Sequence, residues 1–352
     1  MNLITPNVEI LRTGLEKDFM TPEQFIEKVG RTCYKSEDKI TDDSAAKFVT
    51  GLIKRGHEAM IEHWSLMFKT DILWYEEIVN DYEILTHNGD VNLPGELRPF
   101  LRFTRQTVSS ETRCIVSGNM RAWREFVEAC ITAFGMVPGY LHGVIRNYPL
   151  FFPDYQDWVP VNIVNDKLIP ISISDLVGRF EHDIHHDVTV KFTCDRGVSH
   201  EIVRHRTSSF AQESTRYCNY SKDKFGAGIT IIEPQFFRNA KASGNQKIMD
   251  IVYRISEQSE QAYLELLDLG CTPQEARFAL ITGLKTEVIM TTNLQGWDHF
   301  FFLRDARDAH PDIQVVAGMT NDLFKEQVYT EEVIKSVCTV NDFAELDEVV
   351  HD

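Results

Sequence analysis

The chain has 352 residues, 43% apolar and 25% charged, the balance of a globular fold with ample length for a buried core. Lysine and arginine number 36 against 53 aspartates and glutamates, a net charge of −17, which argues against generic nucleic-acid binding through a basic surface. Seven scattered cysteines with no CxxC pair disfavour structural zinc and a disulfide framework, and point to a reducing cytoplasm; "MNLITPNVEILRTG" lacks a signal-peptide pattern, and no apolar run is long enough to predict a membrane span.

"TPEQFIEKVGRTCY" predicts a helix with Thr21 as N-cap and Pro22 at its first position. "DDSAAKFVTGLIKRGHE" predicts a second helix ending near Gly56, and "HWSLMFKTDI" a strand alternating around Leu66 and Phe68. Residues 73–112 read as charged and irregular, with "NGDVNLPGELRP" as a loop. "TRCIVSGNM" predicts a strand and "MRAWREFVEACITAF" a helix. Residues 136–172 hold five of the twelve prolines and are expected to form ordered loops. "DVTVKFTCDRG" predicts a further strand with Val188, Val190 and Phe192 on one face, and "VSHEIVRHR" a helix after it. "ITIIEP" is a short strand. "NQKIMDIVYRISEQSEQAYLELLDLG" is the clearest helix, with Gly270 where a C′ glycine belongs. "TPQEARFALI" restarts a helix at Thr272 and Pro273, "GWDHFFFLRDARDAH" predicts another, and Pro311 opens a last one before the acidic tail "ELDEVVHD". No internal repeat is expected.

The densest chemistry lies in "RHRTSSFAQESTRY", residues 204–217. Phosphate prefers guanidinium forks and hydroxyls, and Arg204, Arg206, Ser214 and Arg216 supply both on an otherwise acidic chain. A loop folded back between them could hold two phosphates, or a phosphate and a base. The motif resembles the signature of flavin-dependent thymidylate synthases, RHR followed after seven residues by Ser-x-Arg-Tyr. "GHEAMIEHWSLMF" resembles the family's HE-x-x-x-EH segment. "EARFALITGLKTEVIMTTNLQGWDHFFFLRDARDAH" resembles its Arg…Asn…LR-x-x-x-x-AH block. The resemblance covers residues 25–70 and 188–330, and residues 71–187 look like a family-atypical insertion that is not catalytic.

The resemblance implies an α/β (α+β) fold, a single domain over 1–352 with a central mixed or antiparallel sheet flanked by helices. It implies reductive methylation of dUMP to dTMP, with 5,10-methylenetetrahydrofolate as carbon donor and NADPH as reductant through non-covalent FAD. It implies a cytoplasmic homotetramer with sites at subunit interfaces, and no nucleic-acid or membrane partner. The flavin positions it implies are Ala59 (by backbone), Glu62, Arg204, His205, Arg206, Thr207, Gln212, Asn293, Gln295 and His299, with His57 beside them. The dUMP positions are Glu201, Arg204, Gln212, Glu213, Ser214, Thr215, Arg216, Arg277 and Arg304. Arg304 carries catalysis by polarising the uracil ring. Ionised Glu201 stands where members commonly have Gln, and cannot donate a hydrogen bond. No metal is implied.

Each position also has a plainer role: Arg277 as a helix-surface residue, Arg304 as an ion-pair partner of Asp308 one turn on, His57 and His63 as core histidines. Cys218 reads as packing and Ser214 as a binding group, not as nucleophiles. Two other functions compete. His182 and His186 in "HDIHH", with His200, could make a metal-dependent phosphohydrolase, although a solvated face is the expected role of that run. The RHR stretch could serve an RNA-binding module, against the net charge.

Overall fold

The computed structural model describes residues 1–15, 20–87, 101–108, 110–160, 167–222 and 228–329; the acidic tail and "NGDVNLPGELRP" lie outside these. In chain order come β1 (Asn2–Ile4), β2 (Asn7–Arg12), α1 (Pro22–Tyr34), α2 (Ser44–Lys54), a 3₁₀ turn (Glu58–His63), β3 (Ser65–Thr70), α3 (Ile72–His87), β4 (Leu101–Val108), β5 (Glu111–Asn119), α4 (Met120–Phe134), α5 (His142–Asn147) and β6 (Ile169–Pro170). There follow α6 (Gly178–His185), β7 (Asp187–Asp195), α7 (Arg196–Ile202), β8 (Ser209–Gln212), β9 (Thr230–Ile232), α8 (Gln235–Ser243), α9 (Gln246–Asp268), α10 (Pro273–Ala276), β10 (Lys285–Asn293), α11 (Leu294–Arg304) and α12 (Pro311–Gln327).

Local chemistry sets many of these boundaries. Thr21 and Gln24 form a reciprocal capping box over α1, and Gly270 turns the chain after α9 at φ 91°, a conformation glycine adopts without Cβ strain. Thr272 caps α10, but that helix is one turn long and passes into a 3₁₀ turn at Arg277–Ala279, shorter than its sequence predicts. Residues 73–112, expected to be irregular, supply α3, β4 and the start of β5. The proline-rich stretch 136–172 is ordered through short helical turns, and Tyr140, Phe151 and Phe152 anchor it in the core.

Two four-stranded antiparallel sheets dominate, in the orders β2-β7-β10-β8 and β6-β3-β5-β4; β1 and β9 form a small parallel pair. Contrary to the sequence reading, the two sheets are copies of one pattern. Each has two central antiparallel strands (β3 with β5, β7 with β10) and a helix after the first. Each then brings in an outer strand beside the second (β4, β8), and a helix leaves from the second strand's end (α4, α11).

The details repeat as well. Asp71 and Asp195 close β3 and β7, and each accepts backbone N–H groups from the helix that follows. Asn119 and Asn293 end β5 and β10 and cap α4 and α11 through their side-chain oxygens. The sequences that start at them, "NMRAWREF" and "NLQGWDHF", share three identical residues, and Trp123, Trp297, Phe126 and Phe300 are all fully buried. One exchange of volume is compensated. A Cβ on Gly296 would collide with Thr292 Oγ1; the first copy carries Ala122 there and Gly118 in place of the threonine. Each copy has its own core, one around Phe68, Trp123 and Phe126, the other around Phe192, Trp297 and Phe300. The boundary expected at residue 71 therefore cuts through the first repeat, because β3 pairs with β5 and β6.

Candidate active site

The two repeats meet at the corners where their capped helices begin, and a cavity of about 440 Å³ opens there. From the second repeat it is lined by Thr207, Ser209, Asn293, Gln295 and His299, and by Ile184 and Asp187 at the entry to β7. From the first come Glu62, Ser65, Arg102 and Asn119. Of the flavin positions that the resemblance implies, Glu62, Thr207, Asn293, Gln295 and His299 line this one cavity. Ser65, Arg102, Asn119 and Asp187 were missed; the signal that could have found them is the repeated Asn-x-x-x-Trp corner.

The strongest feature at this cavity is an ion pair between repeats. Arg102 donates from Nη1 and Nη2 to the two carboxylate oxygens of Asp187 at 2.7 and 2.6 Å, and from Nη1 to the Ile184 carbonyl at 2.8 Å. Burial pushes the Asp187 carboxyl up, but the guanidinium prevails and holds it below the usual carboxylate range. The Arg102 Nε–H is buried with no acceptor among the described residues. The Asn293 side chain is engaged at both ends, its oxygen capping α11 and its amide donating one N–H to the Ile184 carbonyl at 3.0 Å. Arg121 donates to Glu62 at 2.7 Å and so links this cavity to a second of about 550 Å³, lined by His57, Ala59, Arg121, Ser214 and Tyr217.

The cationic motif folds as a turn between α7 and β8. Arg204, Arg206, Arg216 and Arg277 are exposed, and none makes an ion pair among the described residues. His205 is buried, and burial, then Arg304 and His299, bring its imidazole down to about 4, so it is neutral near pH 7. Arg304 does not pair with Asp308, because α11 ends at Arg304 and the next turn does not exist. It donates instead from Nη1 to Glu201 at 2.8 Å and from Nε to His205 Nε2 at 3.2 Å. Glu201 itself lines a third, more apolar cavity of about 540 Å³.

The rest of the motif is largely structural. Glu213 is buried and held by Lys285 at 2.9 Å and by the Tyr220 hydroxyl at 3.2 Å. Gln212 donates to Ser199 and Thr286, and Thr215 is buried. Ser214 Oγ accepts the Arg216 N–H at 3.3 Å. Lys285 bridges Glu213 and Glu287; burial opposes ionisation of Glu287, but Lys285 and Lys35 bring its carboxyl down to about 2. Cys218 is fully buried in a small apolar cluster, consistent with packing.

The histidine run expected to be solvated is buried. His182, His185 and His186 lie on or beside α6, packed between β4 and β10, and His186 Nε2 lies 2.6 Å from the Thr13 carbonyl oxygen. His200 is exposed on α7, and no group of three potential metal ligands forms among the described residues.

Residues 179–328 match the family model described as thymidylate synthase complementing protein. This segment is thus similar to that family. The match begins at α6 and ends in α12, so it contains the second repeat and leaves the first outside. Flavin-dependent thymidylate synthases from Geobacter sulfurreducens and Pyrococcus furiosus are 31% and 29% identical over 122 and 124 residues, 35% of this chain and 49% and 48% of theirs. One from Thermococcus onnurineus is 26% identical over 157 residues, 44% of this chain and 61% of its own. The chain thus spans about half the length of the first two relatives. The RHR motif falls in the matched segment; the hydrolase and RNA-binding alternatives gain nothing from these matches. No helix among the described residues is long and apolar enough to cross a membrane.

Proposed function

We propose that the chain is a flavin-dependent thymidylate synthase that converts dUMP to dTMP, taking its one-carbon unit from 5,10-methylenetetrahydrofolate and its reducing equivalents from NADPH. The observation that carries this reading is the family match over 179–328 together with the meeting of Glu62, Thr207, Asn293, Gln295 and His299 at one cavity. The cavity falls within the size range of small-ligand pockets, roughly 300–1,000 Å³. The guanidinium of Arg102 in its lining suits a ring carbonyl, and Arg204 and Arg206, exposed and without ion pairs among the described residues, suit phosphate within three residues of Thr207. FAD, when bound, would relay hydride from NADPH.

The chain's own residues supply binding and charge. Arg204 and Arg206 hold a pyrophosphate; Ser214, Arg216 and Arg277 hold the dUMP phosphate and sugar. Arg304 faces the pyrimidine, where its guanidinium stabilises negative charge developing at O4 and N3. Its present partner Glu201 keeps it oriented and exchanges with the incoming ring. Neutral His205 supports Arg304 through Nε2 without adding repulsion. Gln212 and Glu213 act on the turn that carries Ser214, since their side chains are already bonded. The reading also includes a homotetramer and a cytoplasmic site of action.

Purified protein should carry, or take up, a yellow chromophore that acid precipitation releases, and it should bleach with NADPH. dUMP and methylenetetrahydrofolate should then yield dTMP. A chain that binds no FAD at micromolar concentrations, or that oxidises NADPH without ever forming dTMP, would end this reading.

A further inference from the structure

We propose that the first repeat is a built-in partner of the second, paired with it as two subunits of a twofold dimer would be, and that its Arg102 is a binding residue for the ring held in their shared cavity. The ligand's identity rests on the flavin reading above.

Contacts between the repeats are reciprocal, the mark of an isologous interface, in which residue i meets j and j meets i. Asn119 and Asn293 end equivalent strands, and they pair in register with Ser65 and Asp187. Counting back from these, His63 corresponds to His185 and Glu62 to Ile184. His63 Nδ1 lies 2.7 Å from Thr291 Oγ1 in the second repeat. His185 Nδ1 lies 2.7 Å from Ser117 Oγ in the first. Thr291 and Ser117 are themselves equivalent, each two residues before its capping asparagine. The same histidine-to-hydroxyl bond is thus made in both directions.

The cavity obeys the same relation. Asn119 and Asn293 both line it, as do Ser65 and Asp187, and Glu62 and Ile184. Arg102 pairs with Ser117, and Ser209 pairs with Thr291, so these two are equivalent as well, and both line it. Four equivalent pairs therefore face one space.

The repeats differ where charge is needed. Aligned on Asp71 and Asp195, the positions of Arg204, His205 and Arg206 hold Asn80, Asp81 and Tyr82 in the first repeat. Aligned on the asparagines, Arg304 corresponds to Cys130, which is fully buried. Asp81 accepts the Tyr140 hydroxyl at 2.6 Å, and Tyr82 packs against Phe103 and Phe126. Only the second repeat has an anion cradle, so the pair holds one ligand per chain. The first repeat keeps the wall, and its cation there is Arg102, which lines the cavity and is fixed by Asp187.

The test combines binding with complementation, on the full chain. FAD titration by flavin fluorescence should saturate at one flavin per chain in wild type. Arg102→Lys keeps a cation for Asp187 but loses the fork, and should weaken FAD binding roughly tenfold or more with little change in melting temperature. Arg102→Ala serves as the second variant, with melting temperature followed in parallel. His299→Ala should weaken the opposite wall. Arg102→Lys and His299→Ala chains are then co-expressed. Because both walls come from one chain, no high-affinity site should reappear. Walls supplied by different chains would restore about a quarter of the sites by random mixing, and that result overturns the proposal. So does unchanged FAD affinity in folded Arg102→Lys and Arg102→Ala. A wild-type chain that binds no FAD defeats the functional reading itself, an outcome distinct from either.

Discussion

The first repeat and the second share a scaffold and differ in what stands on it. Asp71 and Asp195, Asn119 and Asn293, Trp123 and Trp297, Phe126 and Phe300 do the same work in each: they end strands, cap helices and fill the core. Around that scaffold the second repeat leaves Arg204 and Arg206 exposed and without ion pairs among the described residues, whereas the first pairs its cations. Arg121 joins Glu62 and Glu125, Arg124 meets Glu58, and Arg113 meets the buried Glu181. Paired arginines build interfaces; unpaired, exposed ones on a chain of net charge −17 wait for an anion. The comparison separates groups kept for folding from groups kept for chemistry, and each can be tested against its counterpart.

The largest contrast is expected at Arg304, which corresponds to buried Cys130. Arg304→Ala should lower dTMP formation about a hundredfold or more, the loss of one charge-assisted donor worth on the order of 3 kcal/mol. Lysine should restore little, because an ammonium cannot reproduce the planar fork. NADPH oxidation and flavin content should survive far better. Near-normal dTMP production in Arg304→Ala would remove it from the mechanism and leave its bond to Glu201 as a structural pair.

The reciprocal histidines come next. His185 bridges Ser117 at 2.7 Å and Thr104 at 2.8 Å, while His63 reaches Thr291 at 2.7 Å. Each removal leaves a cavity; that of His185 also strips two buried hydroxyls of their partner, whereas Thr291 keeps Thr189 at 2.8 Å when His63 is lost, so each alanine variant should cost about 2–3 kcal/mol by urea denaturation, His185 the more. Burial, helped at His185 by Arg102, lowers these imidazoles to about 4 (His63) and about 3 (His185); His186 also falls to about 4. The folded state therefore keeps them neutral while the unfolded chain binds protons below about pH 6.5. Stability should be full above that pH and fall as pH drops toward 4, by about 1.4 kcal/mol per pH unit for each histidine. Below about pH 4.5 protonation in the unfolded chain of Glu287, whose folded carboxyl titrates near 2, adds to the same slope. A flat stability profile between pH 6.5 and 4.5 would contradict the buried neutral assignment.

A smaller contrast lies in the compensated volume. Gly296→Ala should destabilise by about 1–3 kcal/mol through its clash with Thr292, and Thr292→Gly added to it should recover part of the loss, since the first repeat already holds Ala122 with Gly118. Strict additivity of the two changes would mean that the corners are not equivalent.

The sequence was legible where a signal is local. Thr21, Pro22, Gly270, Thr272 and Pro311 marked helix ends because capping acts within one turn. It was opaque where burial is two-sided. β10 lies at the centre of its sheet between β7 and β8, so "KTEVIMTTN" has no apolar–polar alternation to read. "HDIHH" looked polar, yet each histidine finds a fixed partner or a packed neighbour inside the fold. The repeat escaped notice because it survives in a handful of caps and ring positions separated by loops of different length. Likewise five lining residues of the main cavity followed from the motifs, but Arg102 and Asp187 became visible only when β4 and β7 met.

The smallest expected effect concerns the two capping asparagines. Each accepts a helix N–H, from Ala122 at 2.8 Å and from Gly296 at 2.9 Å, so loss of either cap should cost about 1 kcal/mol. Asn293 also donates to the Ile184 carbonyl, which Arg102 contacts as well. Asn293→Asp retains the cap oxygen but loses that donor and places a second carboxylate in a wall that already holds Asp187, whereas Asn119→Asp introduces a carboxylate nearer the opposite repeat. If the two corners are equivalent in folding and unequal in chemistry, alanine at either position should lower stability by similar amounts in denaturant titrations. The aspartate variants should then part company. Asn293→Asp should weaken flavin binding several-fold beyond Asn119→Asp, since Asn293 stands on the wall that carries Gln295 and His299. Equal losses of flavin affinity would mean that both corners touch the ligand alike, and the division of labour between the repeats would have to be redrawn.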